Sequence, residues 1–411
     1  MEKKKFKIGI MGSIRGRFVI ACEKYLSDEM EVTALLENSE ANLEEWRKSG
    51  EYKENIKVYS DFDEFIDSGI DAVILCNTFH EHYTYAMKAM EKGIAVLSET
   101  TAAPSLGACV ELIECAERTK TKYMLGANCV YFRAVQKIKQ EVESGKYGAA
   151  VYAEAEYCHP IPIGSTVNGM QKAPDPENVH WRTVLPRCYY NMHDLGPILY
   201  IMGKRPVRVV GKAIVRDDAT KTFVNFDRCL CLVELEDGSV INYSGCTGVG
   251  ALSKWYRVDC KDGSVESVRH NTPEDKILIN PHNSPTQEDL GWDVLEILTD
   301  EDKKRFLGNE NVDSLPHNGV DFFLMLHFLK YLRGESEPAF DVYRAVDLSV
   351  TAIVSWYSIL SGSKELDIPD LRKPEDREKV RGDYRMPFVK RLADQTLPSA
   401  YIRGTDFEIG F

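Results

Sequence analysis

A chain of 411 residues with 44% hydrophobic and 28% charged side chains has the balance of a globular protein and the length for two domains. Lys and Arg total 51 against 64 Asp and Glu, and the formal charge of -13 argues against a nucleic-acid partner and for a small molecule. No stretch of about 18 apolar residues is present to cross a membrane, and the start "MEKKKFKIGIMG" enters a strand pattern where a signal peptide would have its apolar core, so a cytoplasmic protein is expected.

The first strand, "KFKIGIMG", runs into "SIRGRF" and places glycines at Gly9, Gly12 and Gly16, a G-x-x-G-x-x-x-G spacing. A second strand, "EVTALLE", follows a helix and ends at Glu37, 21 residues after Gly16. Strand, glycine turn, helix, strand and acid in that order are the pattern of a dinucleotide site, the acid accepting the ribose hydroxyls. Its charge would repel a 2′-phosphate, so NAD is expected over NADP. The turn residues Ser13 and Ile14 belong to the same expected cofactor loop. The alternative for Glu37 is a cap on the helix that begins near Ser39.

The alternation continues through "NIKVYS", the short helix "SDFDEFIDSG", the apolar strand "IDAVILCNT", and the helix "HEHYTYAMKAMEKG" closed by Gly93. After these come "IAVLSE", the helix "SLGACVELIECAERTK" and the strand "YMLGAN". Strands and helices in turn without hairpin signals predict a doubly wound parallel sheet, with its ligand at the carboxyl ends of the strands. Gly12, Glu37, Thr78, Glu99 and Asn128 fall at those ends.

The segment "CNTFHEHYTYAMKAMEKGIAVLSET" resembles the Gfo/Idh/MocA oxidoreductase family, with Thr78 at the strand end, His82 at the family's histidine, and Glu99 as the Glu of its Glu-Lys-Pro signature. The resemblance implies a Rossmann domain, residues 1–127, that binds NAD through these residues. It implies a second α/β domain, residues 128–411, with an open, mostly antiparallel sheet that binds substrate. Thr100 stands where the family has its catalytic lysine, and a hydroxyl cannot replace an ammonium as acid or charge.

Beyond the helix "ANCVYFRAVQKIKQEVESGKYG", the segments "AAVYAEAEYCHP", "PVRVVGKAIV", "RCLCLVELEDGSVINYSGCTG" and "KWYRVDCKDGS" alternate as strands, with "DG" turns at hairpin corners. The long Pro- and Gly-rich loop after "AEYC" is placed to shape a site. It leads into "RCYYNMHDLGPILYIMG", where Asp194 reads as a helix N-cap, with Pro197 in the first turn. The C-terminal helices are expected to pack behind the antiparallel sheet.

The pattern Tyr-x-x-His-x-Leu-Gly-Pro, met by Tyr190, His193, Leu195, Gly196 and Pro197, resembles the family's NAD-dependent glycosidase branch, typified by alpha-N-acetylgalactosaminidases. Tyr157 and His159 match that branch's Tyr-x-His, and "PAFDVYRAVDLS" carries a similar Asp-Val-Tyr. The resemblance implies hydride abstraction from a sugar carbon, C3, as a net oxidation or as a transient step in glycosidic cleavage. His193 with Tyr190 would serve the C3 hydroxyl, and Tyr157 with His159 the C2 side. Tyr189 and Gly196 occupy the places of the aspartates that flank the His in the family's dehydrogenases, and Ala127 precedes Asn128 where the glycosidases carry Glu.

Other readings stand beside these. Tyr190 and His193 could be packing residues, and a regulatory protein could keep the NAD fold without catalysis. His80 reads as a surface residue; His317 and His327 read as structural. No metal is expected. Cys229 and Cys231 share one face of a strand and read as small buried residues, and His159, Cys158, His180 and His193 lack ligand spacing. A small-molecule carbohydrate partner and a homo-oligomer through the C-terminal sheet complete the expectation.

Overall fold

The computed structural model describes residues 4–159, 179–180, 185–215, 226–246, 251–269, 276–281, 292–296, 319–386 and 401–402. The chain divides into two compact units, the first built on Met1–Ala127 and the second on Asn128–Glu310 with Val350–Asp370.

In the first unit β1 (Phe6–Met11), β2 (Met30–Leu36), β3 (Lys57–Tyr59), β4 (Ala72–Leu75), β5 (Ala95–Ser98) and β6 (Tyr123–Leu125) form one parallel sheet in the order β3-β2-β1-β4-β5-β6. The chain connects them through α1 (Ser13–Leu26), α2 (Glu40–Arg47), α3 (Phe62–Ile66), α4 (His82–Glu91) and α5 (Leu106–Thr119). The strand order reverses between β1 and β4, so the turns leaving these two strands diverge and leave a crevice at their carboxyl ends. All four residues of β4 are fully buried, which is why its sequence is a continuous apolar run. Asp61, Ser39 and Ser105 start α3, α2 and α5 by accepting the backbone amides of Glu64, Asn42 and Ala108.

The second unit holds a nine-stranded sheet. Its strands in chain order are β7 (Ala150–Cys158), β8 (Pro206–Val215), β9 (Phe226–Leu235), β10 (Val240–Cys246), β11 (Ser253–Cys260), β12 (Gly263–Ser267), β13 (Lys276–Pro281), β14 (Asp293–Glu296) and β15 (Leu366–Asp367). Across the sheet they run β14-β13-β12-β11-β7-β10-β9-β8-β15, and the β7–β10 pair is parallel while the others are antiparallel. Asp237-Gly238 and Asp262-Gly263 make the two expected hairpin corners, joining β9 to β10 and β11 to β12. The helices α6 (Arg133–Glu143) and α7 (Leu195–Met202) pack against one face. Cys229, Cys231 and Val233 of β9 point to that side and are buried, whereas Leu230 and Leu232 point away and are exposed.

The C-terminal helices are divided between the units. The expected second domain runs unbroken to the C-terminus, whereas the unit of the parallel sheet also takes in described residues of Asn311–Ser349 and Leu371–Phe411. The physical reason is a set of charged and aromatic contacts to the first unit. Asp321, at the start of α8 (Val320–Arg333), receives both terminal nitrogens of Arg15 on α1, at 2.8 and 2.9 Å. Phe322 packs edge-on to Tyr25, and Arg333 pairs with Glu29 at 2.6 Å. In α10 (Pro374–Val380), Arg377 forks onto Glu117 of α5. Of α9 (Val342–Leu360), the residues from Val350 belong to the second unit, where Ser355 bonds the buried Tyr243 hydroxyl at 3.1 Å.

Candidate functional site

The crevice of the first unit is shaped by Gly12. Its φ of 95° and the 2.7 Å that would separate an added Cβ from the Cys76 carbonyl oxygen exclude any side chain there. The turn from β1 into α1 therefore closes directly on the end of β4. Gly9 and Gly16 serve close packing, since a Cβ would meet Ile70 at 2.6 Å and Ile10 at 2.3 Å respectively. Helix α1 begins at Ser13 with the amides of its first turn at the crevice, an arrangement suited to the phosphates of a dinucleotide. Ile14 beside it is 41% exposed.

Glu37 follows β2 and is buried. Its Oε2 accepts the Ser13 amide at 3.0 Å and the Ser13 hydroxyl at 2.7 Å, and its Oε1 accepts the Ser39 amide at 2.9 Å. The cap of α2 is Ser39 itself, so the capping alternative for Glu37 does not hold. A carboxylate offers about four acceptor positions, so one remains beside the three protein donors for a ribose hydroxyl.

At the end of β5, Glu99 accepts the Nε of Arg15 at 2.7 Å. Its carbonyl faces His82 Nδ1 at 2.9 Å, and the other ring nitrogen faces the Asn77 carbonyl at 3.1 Å. Burial pushes the His82 pKa down, and the ring lies between the carbonyls that follow β4 and β5; in its neutral form the single N–H donates to one of them. Thr78, which caps the turn before α4, is also buried. Sequence reasoning missed two members of this crevice. Arg15 gave no motif signal beyond its place in the glycine turn, and its partner Asp321 lies 306 residues away. Glu81 is a buried carboxyl raised by desolvation to about 8, against a bond from Asn77 that lowers it. Its neutral form is the stable one at pH 7. His80, expected at the surface, is fully buried because the turn Phe79–Glu81 folds it inward, with its ring edge-on to Phe79.

The second unit gathers its own cluster. The turn Arg187–Tyr190 leads into α7, whose N-cap Asp194 accepts the Leu195 amide at 2.7 Å. This turn stacks His193 on Tyr190 with ring centroids 4.6 Å apart and planes 14° apart. Tyr157, from the end of β7, lies with its ring 4.6 Å from His193, and His159 stacks on Tyr157 at 6.1 Å. All four expected residues are thus brought together, and His193 and Tyr157 are each 9% exposed. The Arg187 guanidinium lies 5.2 Å from the Tyr190 ring centre, and the Tyr256 hydroxyl donates to the His193 carbonyl at 2.7 Å. Asn128, expected with the cofactor residues, sits buried in the short helix Asn128–Tyr131 and belongs to the second unit.

Gly245 of β10 leaves room for the Asp194 carboxylate, whose Oδ2 would be 2.8 Å from an added Cβ. Desolvation raises the Asp194 pKa to about 7, with the Leu195 amide and Arg187 opposing it. Among the described residues no group of three His, Cys, Asp or Glu side chains is placed to hold a metal ion. The long loop expected to shape the pocket and His317 lie outside the described residues. No described helix is long and apolar enough to cross a membrane.

A parallel sheet with a glycine turn and an acid at its switch point defines a dinucleotide-binding oxidoreductase fold, and the comparisons agree. Residues 6–127 match the model of the Gfo/Idh/MocA oxidoreductase family, with its NAD-binding Rossmann fold, and residues 237–376 match that of the glycosyl hydrolase 109 C-terminal domain. The first unit thus carries the NAD-binding Rossmann domain of the Gfo/Idh/MocA oxidoreductase family. A glycosyl hydrolase family 109 protein of Streptomyces filamentosus is 24% identical over 329 residues, 74% of this chain, which spans 64% of that protein's length. The alpha-N-acetylgalactosaminidase of Bacteroides fragilis is 23% identical over 354 residues, 79% of each chain. Among solved structures, the WlbA dehydrogenase of Chromobacterium violaceum, in complex with NADH and UDP-GlcNAcA, superposes with a TM-score of 0.67 over 90% of this chain and 97% of that one. At 13% identity that likeness is one of fold.

Two predictions follow from this geometry. Glu37→Ala removes the acceptor for the ribose and the repulsion of a 2′-phosphate, so the ratio of NAD to NADP dissociation constants, measured by calorimetry, moves toward unity. An unchanged ratio would remove Glu37 from the ribose site. For Asp194, a folded pKa raised from 3.8 to about 7 means that its stabilising contribution is full below pH 3.8 and is lost as pH rises through 7. Asn keeps the cap and never ionises. Thermal unfolding of Asp194→Asn therefore falls less than that of the wild type between pH 4 and 8.

Proposed function

We propose that the protein is an NAD-dependent enzyme that removes hydride from a hydroxyl-bearing carbon of a sugar or glycoside, taken to be C3. The observation that carries this reading is the cluster of Tyr190, His193 and Tyr157, with ring centroids 4.6 Å apart at each step, in a chain whose first unit binds NAD. Gly9, Gly12, Ser13, Ile14, Gly16, Glu37, Thr78, His82, Glu99 and Asn128 are the proposed cofactor residues. When bound, NAD supplies a hydride acceptor. The protein's own part is to take the hydroxyl proton, for which the neutral imidazole of His193 is suited, oriented through its carbonyl by Tyr256 and flanked by Tyr190. Tyr157 with His159 is assigned to the proton on the neighbouring carbon.

A second reading is favoured by the glycosyl hydrolase 109 match of residues 237–376. Oxidation at C3 would then acidify the C2 proton, a base would remove it as the glycosidic oxygen departs, and the hydride would return after water adds. Thr100 in place of the family lysine supports a proton path carried by the Tyr and His residues of the second unit. Both readings share the first step. The proposed domain limits remain 1–127 for NAD and 128–411 for substrate and catalysis, amended by the C-terminal segments that join the first unit. Self-association through the open sheet is supported by Ile214, Leu230 and Leu232, exposed by 44%, 37% and 50% on the face turned from the helices. A cytoplasmic location is proposed with it.

His193→Ala is expected to lower turnover by about 10² to 10⁴ while NAD affinity stays near that of the wild type. An unchanged rate would make His193 a packing residue. A panel of glycosides incubated in deuterated water and followed by NMR separates the two readings. Deuterium at sugar C2 with released free sugar is the redox-neutral outcome, whereas stoichiometric NADH and an accumulating keto sugar is net oxidation. Neither signal on any sugar would overturn both.

A further inference from the structure

On β11 the inward register positions are Lys254, Tyr256, Val258 and Cys260, and the last three are 2%, 0% and 3% exposed. Lys254 itself is half-buried, its stem lying along this apolar row. Its place is specific. In the antiparallel β7–β11 pair, Lys254 lies directly opposite Tyr157, so the two side chains rise from the same face of the sheet. Two further contacts confirm that this is the helix-covered face. The Lys254 ammonium lies 4.6 Å from the centre of the Phe132 ring, which caps the start of α6, and Tyr256, two residues along the same strand, bonds the His193 carbonyl. Among the described residues no carboxylate pairs with the Lys254 ammonium. The charge is therefore not neutralised by an ion pair, while its neighbour across the ladder is one of the four residues of the His and Tyr cluster.

We propose that Lys254 is a positioning residue whose ammonium favours the phenolate of Tyr157 and so fits that side chain to take a proton at neutral pH. The inference rests on the assignment of Tyr157 as a base. It also places in the second unit a cation that the sequence lacks at Thr100. Opposite charge at close range stabilises the ionised form of an acid. Among the described residues, the charged or titratable groups near Tyr157 include His159 on its own strand, and Arg187, Tyr190, His193 and Asp194 on the turn into α7. Arg187 works in the same direction as Lys254, and Asp194, once ionised, works against both. Phe132 adds no charge. Its ring face attracts the ammonium and holds the lysine stem in place.

The test reads Tyr157 directly. Protein labelled with ¹³Cζ-tyrosine is titrated by NMR, with Tyr157→Phe to assign the resonance, for the wild type, Lys254→Met and Lys254→Arg. The expected result is a phenol pKa about one unit or more higher in Lys254→Met and close to the wild type in Lys254→Arg. Lys254→Gln replaces the Met variant if that one does not fold. Superimposable titrations of wild type and the neutral variant would overturn the proposal. The pH profile of kcat/KM separates this result from the assignment of Tyr157. If Tyr157 is the base, the acid limb moves to higher pH by the same amount as the phenol. An NMR shift with an unmoved acid limb leaves the Lys254 effect established and removes Tyr157 from the proton step.

Discussion

The first unit depends on one buried fork. Asp321 is wholly removed from solvent, and its charge is compensated by both terminal nitrogens of Arg15, which meet its two oxygens. Removing one partner of such a pair costs about 3 to 5 kcal/mol, because the other charge is left without compensation. The third nitrogen of Arg15 goes to Glu99. A single side chain in the first turn of α1 thus joins the glycine turn, the end of β5 and a helix that returns from the far end of the sequence. The turn at Gly12 is held from the other side by Glu37, which takes two hydrogen bonds from Ser13.

This arrangement explains why a cofactor crevice tolerates so many charges. Arg15 is occupied by carboxylates, and Glu37 by amides and a hydroxyl, so each is oriented before a ligand arrives. Burial lowers the His82 pKa, and its ring lies between the carbonyls at two strand ends. The proposed substrate residues are organised differently. Their unit uses ring stacking, the cap at Asp194 and the missing side chain of Gly245 to hold a histidine and two tyrosines in one place. Lys254 rises from the same face of the sheet, opposite Tyr157.

On the proposed assignment, the proton chemistry that the family lysine would supply at Thr100 falls to tyrosine and histidine residues of the second unit. The Gfo/Idh/MocA framework supplies the cofactor fold, and the proposed proton-moving residues are tyrosines and histidines that lie between the two matched segments. Burial raises Glu81 and Asp194 and makes both easier to protonate than an exposed carboxyl.

Much of the architecture was legible in the sequence because it rests on local order. Apolar runs such as "AVIL", the glycine turn, the cap at Asp194, and the two "DG" corners each express short-range geometry. Tyr157, His159, Tyr190 and His193 were legible as a group through a resemblance of motif; their stacking was not. What the tertiary structure alone decided involves partners distant in the chain. Asp321 meets Arg15 across 306 residues, and the C-terminal helices return to the first unit because their charges find partners on α1 and α5. Lys254 faces Tyr157 only through the register of two strands. His80 is buried by a turn whose hydrophilic letters suggested a surface. Periodicity and capping encode which elements form, whereas long-range pairing and register depend on the whole chain collapsing at once, and no local pattern carries them.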